Sequence, residues 1–566
     1  MYFNSKGKED VTYDAIVIGS GISGGWAAKE LCEKGLKTLL LERGRMVRHG
    51  EYPTANLDSW ELPNRDKMTK TELEEYPVQN RTGYTMTQSY KHWWVKDTEY
   101  PYTEVKPFDW IRGYHLGGRS IVWGRQSYRF SDIDFEANAK EGIAVDWPVR
   151  YKDIAPWYDY VEKFIGVSGQ KEGLPQLPDG QFLPPMEMNC IEKHVKEKIE
   201  KNFPGRVMTI GRTAHLTQPI GNRGICQSRD RCMRGCPYGA YFSSLSSTIP
   251  AAEATGNLTI RPFSLAMEII YDREAQKAKG VLVKDTETGE LIEFFGRIIF
   301  CNASTLNTTL LLLNSTSARF PNGLGNDSGE LGHNLMDHHF QCGATGKSDL
   351  FQDMYFKGRR PNGIYIPRFQ NLSPETRKNY LRGYGYQGGG SREKWWKEIK
   401  EAAFGVSFKE DIALPGDWRF GIMAFGEVLP YHDNKVTLNK DLLDKDEMPT
   451  LFIDAEIKEN ELEMRKDMIA EAVAMLEAAG LKDVKSYDNR YALGLGIHEM
   501  GTARMGHDPK TSVVNKWNQI HAVPNVFVTD GSFMTSSAAV NPSLTYMAFT
   551  ARAANYAVEQ LKRGEL

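Results

Sequence analysis

The chain has 566 residues, which is too long for one small core, so two or more structural units are expected. Its 70 basic and 73 acidic residues give a net charge of -3, and no block of like charge offers a footprint for nucleic acid or anionic lipid. Apolar runs stay well below the roughly 18 residues of a membrane span. The composition therefore argues against a nucleic-acid partner and against a membrane span.

The N-terminal segment has the pattern of a strand, a helix and a second strand. Residues 15–18 form a continuous apolar run suited to a buried parallel strand, and residues 36–42 form the next one. Residues 23–34 have helical composition and end at Gly35, a common helix terminator. Because this first strand begins early, we expect no signal peptide, so the protein would reach a bacterial periplasm through a partner subunit or stay in the cytoplasm.

A glycine-rich turn joins the first strand to the helix. Gly19 permits the tight turn, Gly21 lets a pyrophosphate approach the backbone, and Gly24 lets the helix pack on the strand. The helix N-terminus supplies N–H donors and positive partial charge to the phosphates. Glu42 ends the second strand, where its carboxylate accepts hydrogen bonds from ribose hydroxyls and repels a 2′-phosphate. The pattern predicts FAD or NAD binding rather than a purely structural turn.

The following segments predict an interrupted nucleotide-binding fold. Residues 56–108 are polar and aromatic, which predicts a segment that leaves the packed layers of the fold. The glycine-rich residues 113–126 predict a loop that makes close contacts. Trp147-Pro148 through Gly166 predict a capped amphipathic helix. Strand patterns then return at residues 258–261, 269–271, 280–283 and 297–301. A leucine-rich helix is predicted after the last of these strands.

The remaining sequence predicts a second sheet. Residues 342–458 contain short alternating runs, such as 419–428 and 435–438, that are typical of antiparallel strands, and residues 459–479 have helical spacing. The predicted fold class is α/β: a Rossmann-like domain and a substrate domain built on an antiparallel sheet packed with helices.

Three of the seven cysteines, Cys226, Cys232 and Cys236, lie within eleven residues and are followed by a proline. Thiolates at these separations on an irregular loop can converge on one metal centre, and three ligands suit a [3Fe–4S] cluster better than a four-iron one. A zinc ion would need a fourth ligand, which no histidine nearby in the sequence supplies, and a disulfide with one free thiol is the non-metal alternative. Three neighbouring arginines would ease cluster reduction or be solvated: Arg229, Arg231 and Arg234.

Motifs along the chain resemble the glucose–methanol–choline (GMC) family of FAD oxidoreductases. The likeness runs from residue 13 to about 556. Within the family, the sequence is most similar to the catalytic subunits of bacterial FAD-dependent sugar dehydrogenases. It implies FAD rather than NAD. The motifs that carry it lie at residues 117–120, 147–148, 332–338, 498–506, 526–532 and 541–545.

The resemblance implies roles for individual residues. His498 would be the general base that removes the alcohol proton while hydride passes to flavin N5, and Asn541 would bind the same oxygen. A neutral imidazole suits this task because it accepts a proton near ambient pH, while the cofactor carries the redox step. The other histidines considered, His338, His339 and His521, are expected to be structural or flavin-adjacent. The residues expected to contact FAD, beyond the glycine turn and Glu42, are Gly118, Ser120, Asp530, Gly531, Asn541 and Thr545.

The resemblance also implies a division of the chain and a cofactor state. Val122 stands where a flavin-linking histidine can occur, so FAD is expected to be non-covalent. The expected FAD-binding domain comprises residues 1–50, 105–150, 200–340 and 490–566, with the cysteine-cluster loop at 222–240. The expected substrate-binding domain comprises residues 51–104, 151–199 and 341–489.

The expected reaction is oxidation of a sugar or glycoside hydroxyl, at C3 of a glucoside or at C1 of an aldose. The cysteine spacing resembles that of family members in which a [3Fe–4S] cluster passes electrons to a cytochrome, so a small companion subunit and an external acceptor are expected. The alternatives are an oxygen-dependent sugar oxidase of the same fold and a non-catalytic electron-transfer flavoprotein. Trp93-Trp94 and Trp395-Trp396 are candidates for stacking on sugar faces or for ordinary packing.

Overall fold

The computed structural model describes residues 12–84, 86–355, 360–392, 405–413 and 415–566. Trp395-Trp396 therefore lies outside the described residues. The α-helices in this part of the chain are α1 (Ile22–Glu33), α2 (Lys70–Glu74), α3 (Pro77–Thr82), α4 (Asp132–Phe135), α5 (Ala137–Glu141), α6 (Tyr151–Ile165), α7 (Cys190–Asn202), α8 (Thr248–Ala254), α9 (Thr305–Asn314), α10 (Val406–Ala413), α11 (Glu459–Ala478) and α12 (Ser543–Arg563).

The β-strands of the same residues form three sheets. They are β1 (Thr12–Ile18), β2 (Thr38–Leu41), β3 (Thr103–Glu104), β4 (Thr209–Ile210), β5 (Leu258–Arg261), β6 (Ser264–Asp272), β7 (Lys277–Asp285), β8 (Leu291–Cys301), β9 (His338–Ser348), β10 (Ile364–Ile366), β11 (Tyr384–Arg392), β12 (Trp418–Glu427), β13 (Lys435–Leu443), β14 (Pro449–Asp454), β15 (Lys482–Asp488), β16 (Gln519–Ile520) and β17 (Val523–Val528).

The first sheet has a parallel core that binds the two ends of the chain together. Strands β17, β8, β1, β2 and β5 lie side by side in this order, all parallel. Helices α1, α8 and α12 pack together beside it, and β1 and β2 are almost entirely buried, as their apolar runs predict. Strands β6 and β7 continue from β8 as an antiparallel hairpin. The Rossmann-like part of the predicted fold is confirmed.

The second sheet is antiparallel and has the order β15-β9-β12-β11-β10-β4. Helix α11 packs across β9, β12 and β15, and α7 packs on α11 and on β11 and β12. The core between helix and sheet includes Met464, Met468, Ile422 and Tyr386, all buried. The predicted antiparallel sheet packed with helices is confirmed.

The elements agree with the sequence patterns in kind but differ at their ends. Strand β6 is longer than the apolar run 269–271 because it pairs along its whole length with β7. Helix α6 belongs to residues 151–199, which are expected in the substrate-binding domain, and it packs against α12. Strand β4 belongs to residues 200–340, which are expected in the FAD-binding domain, and it joins the antiparallel sheet. The assignment of chain segments to the two domains stays a prediction. Among the described residues, no helix combines the length and apolarity needed to cross a bilayer.

Candidate active site

The glycine turn sits at the carboxyl end of β1 and opens onto the N-terminus of α1. Gly19 has a φ of +93°, which favours glycine, and a Cβ at Gly24 would lie 1.8 Å from the Gly19 carbonyl oxygen. A Cβ at Gly21 would meet nothing within 4 Å. No side chain caps α1, so its first N–H groups are available. The turn therefore forms a cradle that fits a pyrophosphate.

Glu42 faces the same turn from the end of β2. Its Oε2 accepts hydrogen bonds from the backbone N–H and the hydroxyl of Ser20, and its Oε1 accepts from the Gly44 N–H at 2.9 Å. Burial raises the pKa of Glu42, while these donors lower it. The carboxylate is thus held in place beside the cavity, where a ribose hydroxyl can reach it.

Two glycine substitutions separate cofactor contact from packing. We expect Gly21→Ala to fold normally but to bind FAD at least about tenfold more weakly, because its methyl group enters the space beside the helix N-terminus. Gly24→Ala is expected to lower the melting temperature by several degrees, because its methyl group overlaps a backbone carbonyl. Flavin titration and thermal unfolding of the FAD-free proteins measure the two effects. Equal FAD affinity in Gly21→Ala and the unaltered chain would contradict the cradle.

One cavity joins this turn to the predicted catalytic pair. Its lining includes residues 18–23, the end of β2, residues 118–120 and 122–126, and both His498 and Asn541. Val122 lines it as well and is buried. Its hydrocarbon side chain offers no nucleophile to the cavity. An extended ligand can therefore reach from the glycine turn to the imidazole of His498.

The loop that carries Gly118 and Ser120 packs directly against the glycine turn. A Cβ at Gly118 would lie 3.4 Å from the Cα of Gly21, so the two turns are stacked with little space between them. The Ser120 hydroxyl donates to the Gly117 carbonyl and accepts from the Ser244 N–H at 3.0 Å. Both predicted residues line the cavity, and the side chain of Ser120 holds the loop in shape.

Asp530 and Gly531 also line the cavity, after β17. The Asp530 carboxylate accepts hydrogen bonds from Thr308 and from the backbone and hydroxyl of Ser532. Burial raises the pKa of Asp530, and these donors oppose the rise. The Thr545 side chain lies elsewhere: its Oγ1 is 2.7 Å from the Tyr158 hydroxyl, and both are buried. Of the predicted cofactor residues, Gly24 and Thr545 are placed behind the cavity wall rather than on it.

The structure brings His498 and Asn541 together. The Asn541 Nδ2 lies 3.3 Å from His498 Nε2, and the His498 Nδ1 lies 3.1 Å from the Nδ1 of His338. The backbone N–H of His498 donates to Asp337 Oδ1 at 3.1 Å, and Asp337 also receives N–H groups from Gly494 and Gly496. The carboxylate therefore holds the segment before the imidazole in place.

The electrostatic surroundings keep His498 neutral. Burial, then His338 and Arg119, lower the pKa of His498 well below 6.5. Arg119 makes a bidentate ion pair with Glu499, at 3.0 and 2.8 Å, which ties the 118–126 loop to the residue that follows the imidazole. A neutral imidazole keeps a lone pair on one ring nitrogen, and Nε2, beside the Asn541 amide in the cavity lining, is placed to accept a proton from a bound hydroxyl.

The three clustered cysteines are free thiols on one partly exposed loop. The Ser228 N–H donates to Cys226 Sγ at 3.5 Å, and burial raises the pKa of Cys226, with Cys232 and Cys236 near enough to raise it further. His215, upstream in the chain, has its Nε2 at 3.9 Å from Cys232 Sγ. A histidine thus lies beside one of the three thiols, although none stands within the cysteine motif itself.

The three loop arginines have partners outside the cysteine loop. All three bind residues of the 55–66 segment. Arg229 binds Ala55 and Asn56, Arg231 binds Asp58, and Arg234 binds Leu57 and Asp66. Their charges are thus used to fasten the cysteine loop to that segment. On its other side the loop approaches the turn at residues 118–121, since the Tyr241 hydroxyl donates to the Cys232 carbonyl at 3.2 Å and also reaches the Ile121 carbonyl.

Three residues near the predicted catalytic pair have contacts that the sequence did not indicate. His338 touches the predicted base, and Gln387 touches Asn541. Arg125 lines the cavity, buried, and its Nε and Nη1 have no hydrogen-bond partner among the described residues. No local pattern marks Gln387 or Arg125. Of the tryptophans proposed to stack on sugars, Trp94 lines the cavity, while Trp93 packs against aromatic neighbours.

A dinucleotide-binding sheet whose cavity ends at a neutral imidazole and an amide defines a cofactor-dependent oxidoreductase acting on a hydroxyl. Comparison with known families assigns it further: residues 13–340 and 430–550 match the N- and C-terminal parts of the GMC oxidoreductases. The chain belongs to this family. It is an FAD-dependent oxidoreductase that acts on CH–OH groups.

Relatives of known name cover nearly the whole chain. A 2-methyl-1,2-propanediol dehydrogenase of Mycolicibacterium austroafricanum is 29% identical over 96% of this chain and 94% of its own length. The fructose dehydrogenase large subunit of Gluconobacter japonicus is 26% identical over 98% and 99%. Among solved structures, formate oxidase of Aspergillus oryzae RIB40 superposes with a TM-score of 0.61 at 15% identity over 98% of this chain and 99% of that one, which shows the fold alone.

Proposed function

We propose that the protein is a dehydrogenase that oxidises a hydroxyl of a sugar or glycoside, at C3 of a glucoside or at C1 of an aldose. The observation that carries the proposal is the His498–Asn541 pair, which lines the same cavity as the dinucleotide turn. Support for a sugar comes from the fructose dehydrogenase large subunit, to which the chain is similar along its full length. The aromatic pair Phe340 and Phe425, stacked at 5.1 Å, offers an apolar surface in the cavity for a sugar face.

The residues of the site divide the chemistry between them. FAD, when bound, supplies the two-electron acceptor for the hydride, and the cradle residues Gly21 and Glu42 would hold it. His498 Nε2 takes the hydroxyl proton, and the Asn541 amide donates to the same oxygen and orients it. With Val122 where a linking histidine would stand, FAD is held without a covalent bond to this position.

The cysteine loop suggests where the electrons go. The ligands of one zinc ion lie within about 4 Å of one another. Among the described residues, no three of Cys226, Cys232, Cys236 and His215 approach one another within 4.8 Å. A [3Fe–4S] cluster gives each cysteine a different iron, so it fits more widely spaced thiols. Through Tyr241 the loop also contacts Ile121, which lies between the cavity residues Ser120 and Val122, and this proximity favours transfer from FAD to the cluster.

An external one-electron acceptor follows from such a cluster. We propose a cytochrome or similar carrier, reached with a small companion subunit, in the bacterial periplasm if the companion carries an export signal and otherwise in the cytoplasm. The similar fructose dehydrogenase is itself named as a large subunit, which supports a companion. Copurification with a smaller chain expressed from the same operon, and its absence after mutation of the cysteine loop, test this arrangement.

The substrate class is tested by anaerobic mixing. The FAD-loaded protein is mixed separately with methyl α-D-glucopyranoside, D-glucose, D-fructose and 2-methyl-1,2-propanediol, and the flavin absorbance is followed while the product is identified by NMR. We expect a sugar or glycoside to bleach the flavin and to yield a ketone or lactone. Bleaching by the diol alone, or by none of the four, would overturn the sugar assignment. Peroxide formation in air by an iron-free protein would instead identify an oxidase.

A further inference from the structure

A chain of hydrogen bonds runs through the catalytic pair and ends at a backbone carbonyl. His338 Nε2 lies 2.8 Å from the carbonyl oxygen of Ala538, which only accepts, so this nitrogen must carry a proton. Burial lowers the pKa of His338 to about 4, so the ring is neutral at pH 7 and its Nδ1 has a lone pair. His498 Nδ1, 3.1 Å away, must therefore be the donor.

The same reasoning continues to the other end of the chain. Because neutral His498 is protonated at Nδ1, its Nε2 is an acceptor, and the Asn541 group facing it must be the NH2. The Asn541 oxygen then points away and accepts from Gln387 Nε2 at 2.7 Å. Every donor points in one direction, from Gln387 through Asn541, His498 and His338 to Ala538.

We infer that Gln387 and His338 are positioning residues that together fix this direction, so that His498 presents the lone pair of Nε2 to the hydroxyl of the substrate. His338 lies at the start of β9 and Gln387 lies in β11, two strands of the antiparallel sheet, while the pair itself lies on loops beside the cofactor sheet. The substrate domain thus sets the protonation pattern of the base. The inference rests on the proposed function only in taking His498 as the base.

The direction of these hydrogen bonds also decides where the proton taken from the substrate hydroxyl stays. When His498 accepts a proton at Nε2, its Nδ1 proton remains hydrogen-bonded to His338, whose far nitrogen faces a carbonyl that takes up no proton. A relay through His338 is therefore closed. The proton remains at Nε2, facing the cavity, and leaves from there to solvent or to a departing ligand.

Glutamate at position 387 provides a sharp test. A carboxylate only accepts, so Gln387→Glu is expected to turn the Asn541 amide round until its NH2 faces the new side chain. The Asn541 oxygen then faces His498 Nε2 and favours a proton there. Gln387→Met removes the donor without adding an acceptor, so His498 should keep its proton on Nδ1 through His338. His338→Phe removes the acceptor that holds the proton on Nδ1, so the two ends oppose each other in Gln387→Glu alone and agree on Nε2–H only in the double variant Gln387→Glu/His338→Phe.

The readout is the tautomer of His498 in the substrate-free, FAD-loaded full chain at pH 7, from 15N NMR of histidine-labelled protein. The signals of His498 and His338 are assigned by their loss in His498→Gln and His338→Gln. His432→Gln is the control, because the His432 ring is exposed and takes no part in this series of hydrogen bonds. We expect Nδ1–H in the unaltered protein, in Gln387→Met and in His338→Phe, because one end of the hydrogen-bond chain remains in each, and Nε2–H in the double variant Gln387→Glu/His338→Phe. Nε2–H in the unaltered protein, or Nδ1–H in the double variant, would overturn the inference.

A kinetic measurement separates this inference from the proposed function. With methyl α-D-glucopyranoside or D-fructose, flavin reduction in Gln387→Glu/His338→Phe should be at least about tenfold slower than in Gln387→Met/His338→Phe, with equal FAD content and a shifted pH profile. Equal rates would show that the direction of the chain does not govern the base. If the tautomers are as expected but neither sugar reduces the flavin, the positioning stands and the sugar assignment fails.

Discussion

Replacement of His498 by glutamine is expected to slow flavin reduction at least about a hundredfold while the protein keeps its FAD, since general-base catalysis contributes rate factors of this size. The imidazole Nε2 faces Asn541, and among the described residues no other imidazole lines the cavity. Stopped-flow absorbance at the flavin band measures the rate, and the flavin content of the purified variant shows that the cofactor site is intact.

His521→Gln is the matched control for this experiment. His521 binds Ser512 at 2.9 Å through its Nε2 and does not line the cavity, so its loss should leave the rate within about twofold. A His498→Gln enzyme that reduces its flavin at the normal rate would contradict the assignment of the base. Loss of FAD from His498→Gln but not from His521→Gln would instead point to a role in cofactor binding.

The pH profile provides a second check on the same residue. Because the pKa of His498 is lowered, the base stays unprotonated at neutral pH. The rate of flavin reduction should therefore decline through protonation of His498 only well below pH 6.5. Asp337 titrates nearer to neutrality, since burial and Glu499 raise its pKa to about 7. Asp337→Asn removes that group. Survival of the low-pH decline in Asp337→Asn would assign the decline to His498, and its disappearance would assign it to the carboxylate.

The fold and the cofactor turn could be predicted because their signals are local. A buried run at 15–18, three glycines and the acid Glu42 lie within one strand–helix–strand unit, and the structure places them as that unit requires. The long helix α11 follows its spacing closely. Short elements such as β4 were not predicted, because two residues carry no periodicity and β4 exists only through pairing with β10.

The residues that complete the site could not be predicted, because the contacts that define them are distant in sequence. Gln387 reaches Asn541 across 154 residues, and His338 reaches His498 across 160. His215 lies 17 residues from Cys232, and their contact depends on the conformation of the loop, which no local pattern fixes. The partners of the loop arginines could not be predicted for a similar reason, because they lie in the 55–66 segment, over 160 residues away.

These distant contacts also connect the two halves of the proposed reaction. The turn at residues 118–121 lines the cavity, pairs through Arg119 with Glu499 beside the base, and meets Tyr241 at its other end. Tyr241 in turn contacts the Cys232 backbone. One loop therefore lies between the site where a hydroxyl would be oxidised and the thiols from which an electron would leave.

Serine in place of Cys232 should consequently divide the reaction into its two halves. We expect Cys232→Ser to lose at least about half of its iron and to reduce cytochrome c at least tenfold more slowly, because a missing thiolate removes one ligand of the cluster. Its FAD should still be bleached by the same sugar at nearly the normal rate, since Cys232 does not line the cavity. Iron content, electron paramagnetic resonance and anaerobic flavin absorbance provide the three readouts.

Cys190→Ser is the matched control, because Cys190 is also a partly exposed free thiol but begins α7, away from the loop. It should keep both iron and cytochrome c reduction. Unchanged iron in Cys232→Ser would rule out Cys232 as a cluster ligand, and iron-free unaltered protein would remove the cluster altogether. Iron loss with undiminished cytochrome c reduction would mean that electrons leave FAD by another route, because an intact cluster would then be unnecessary for transfer.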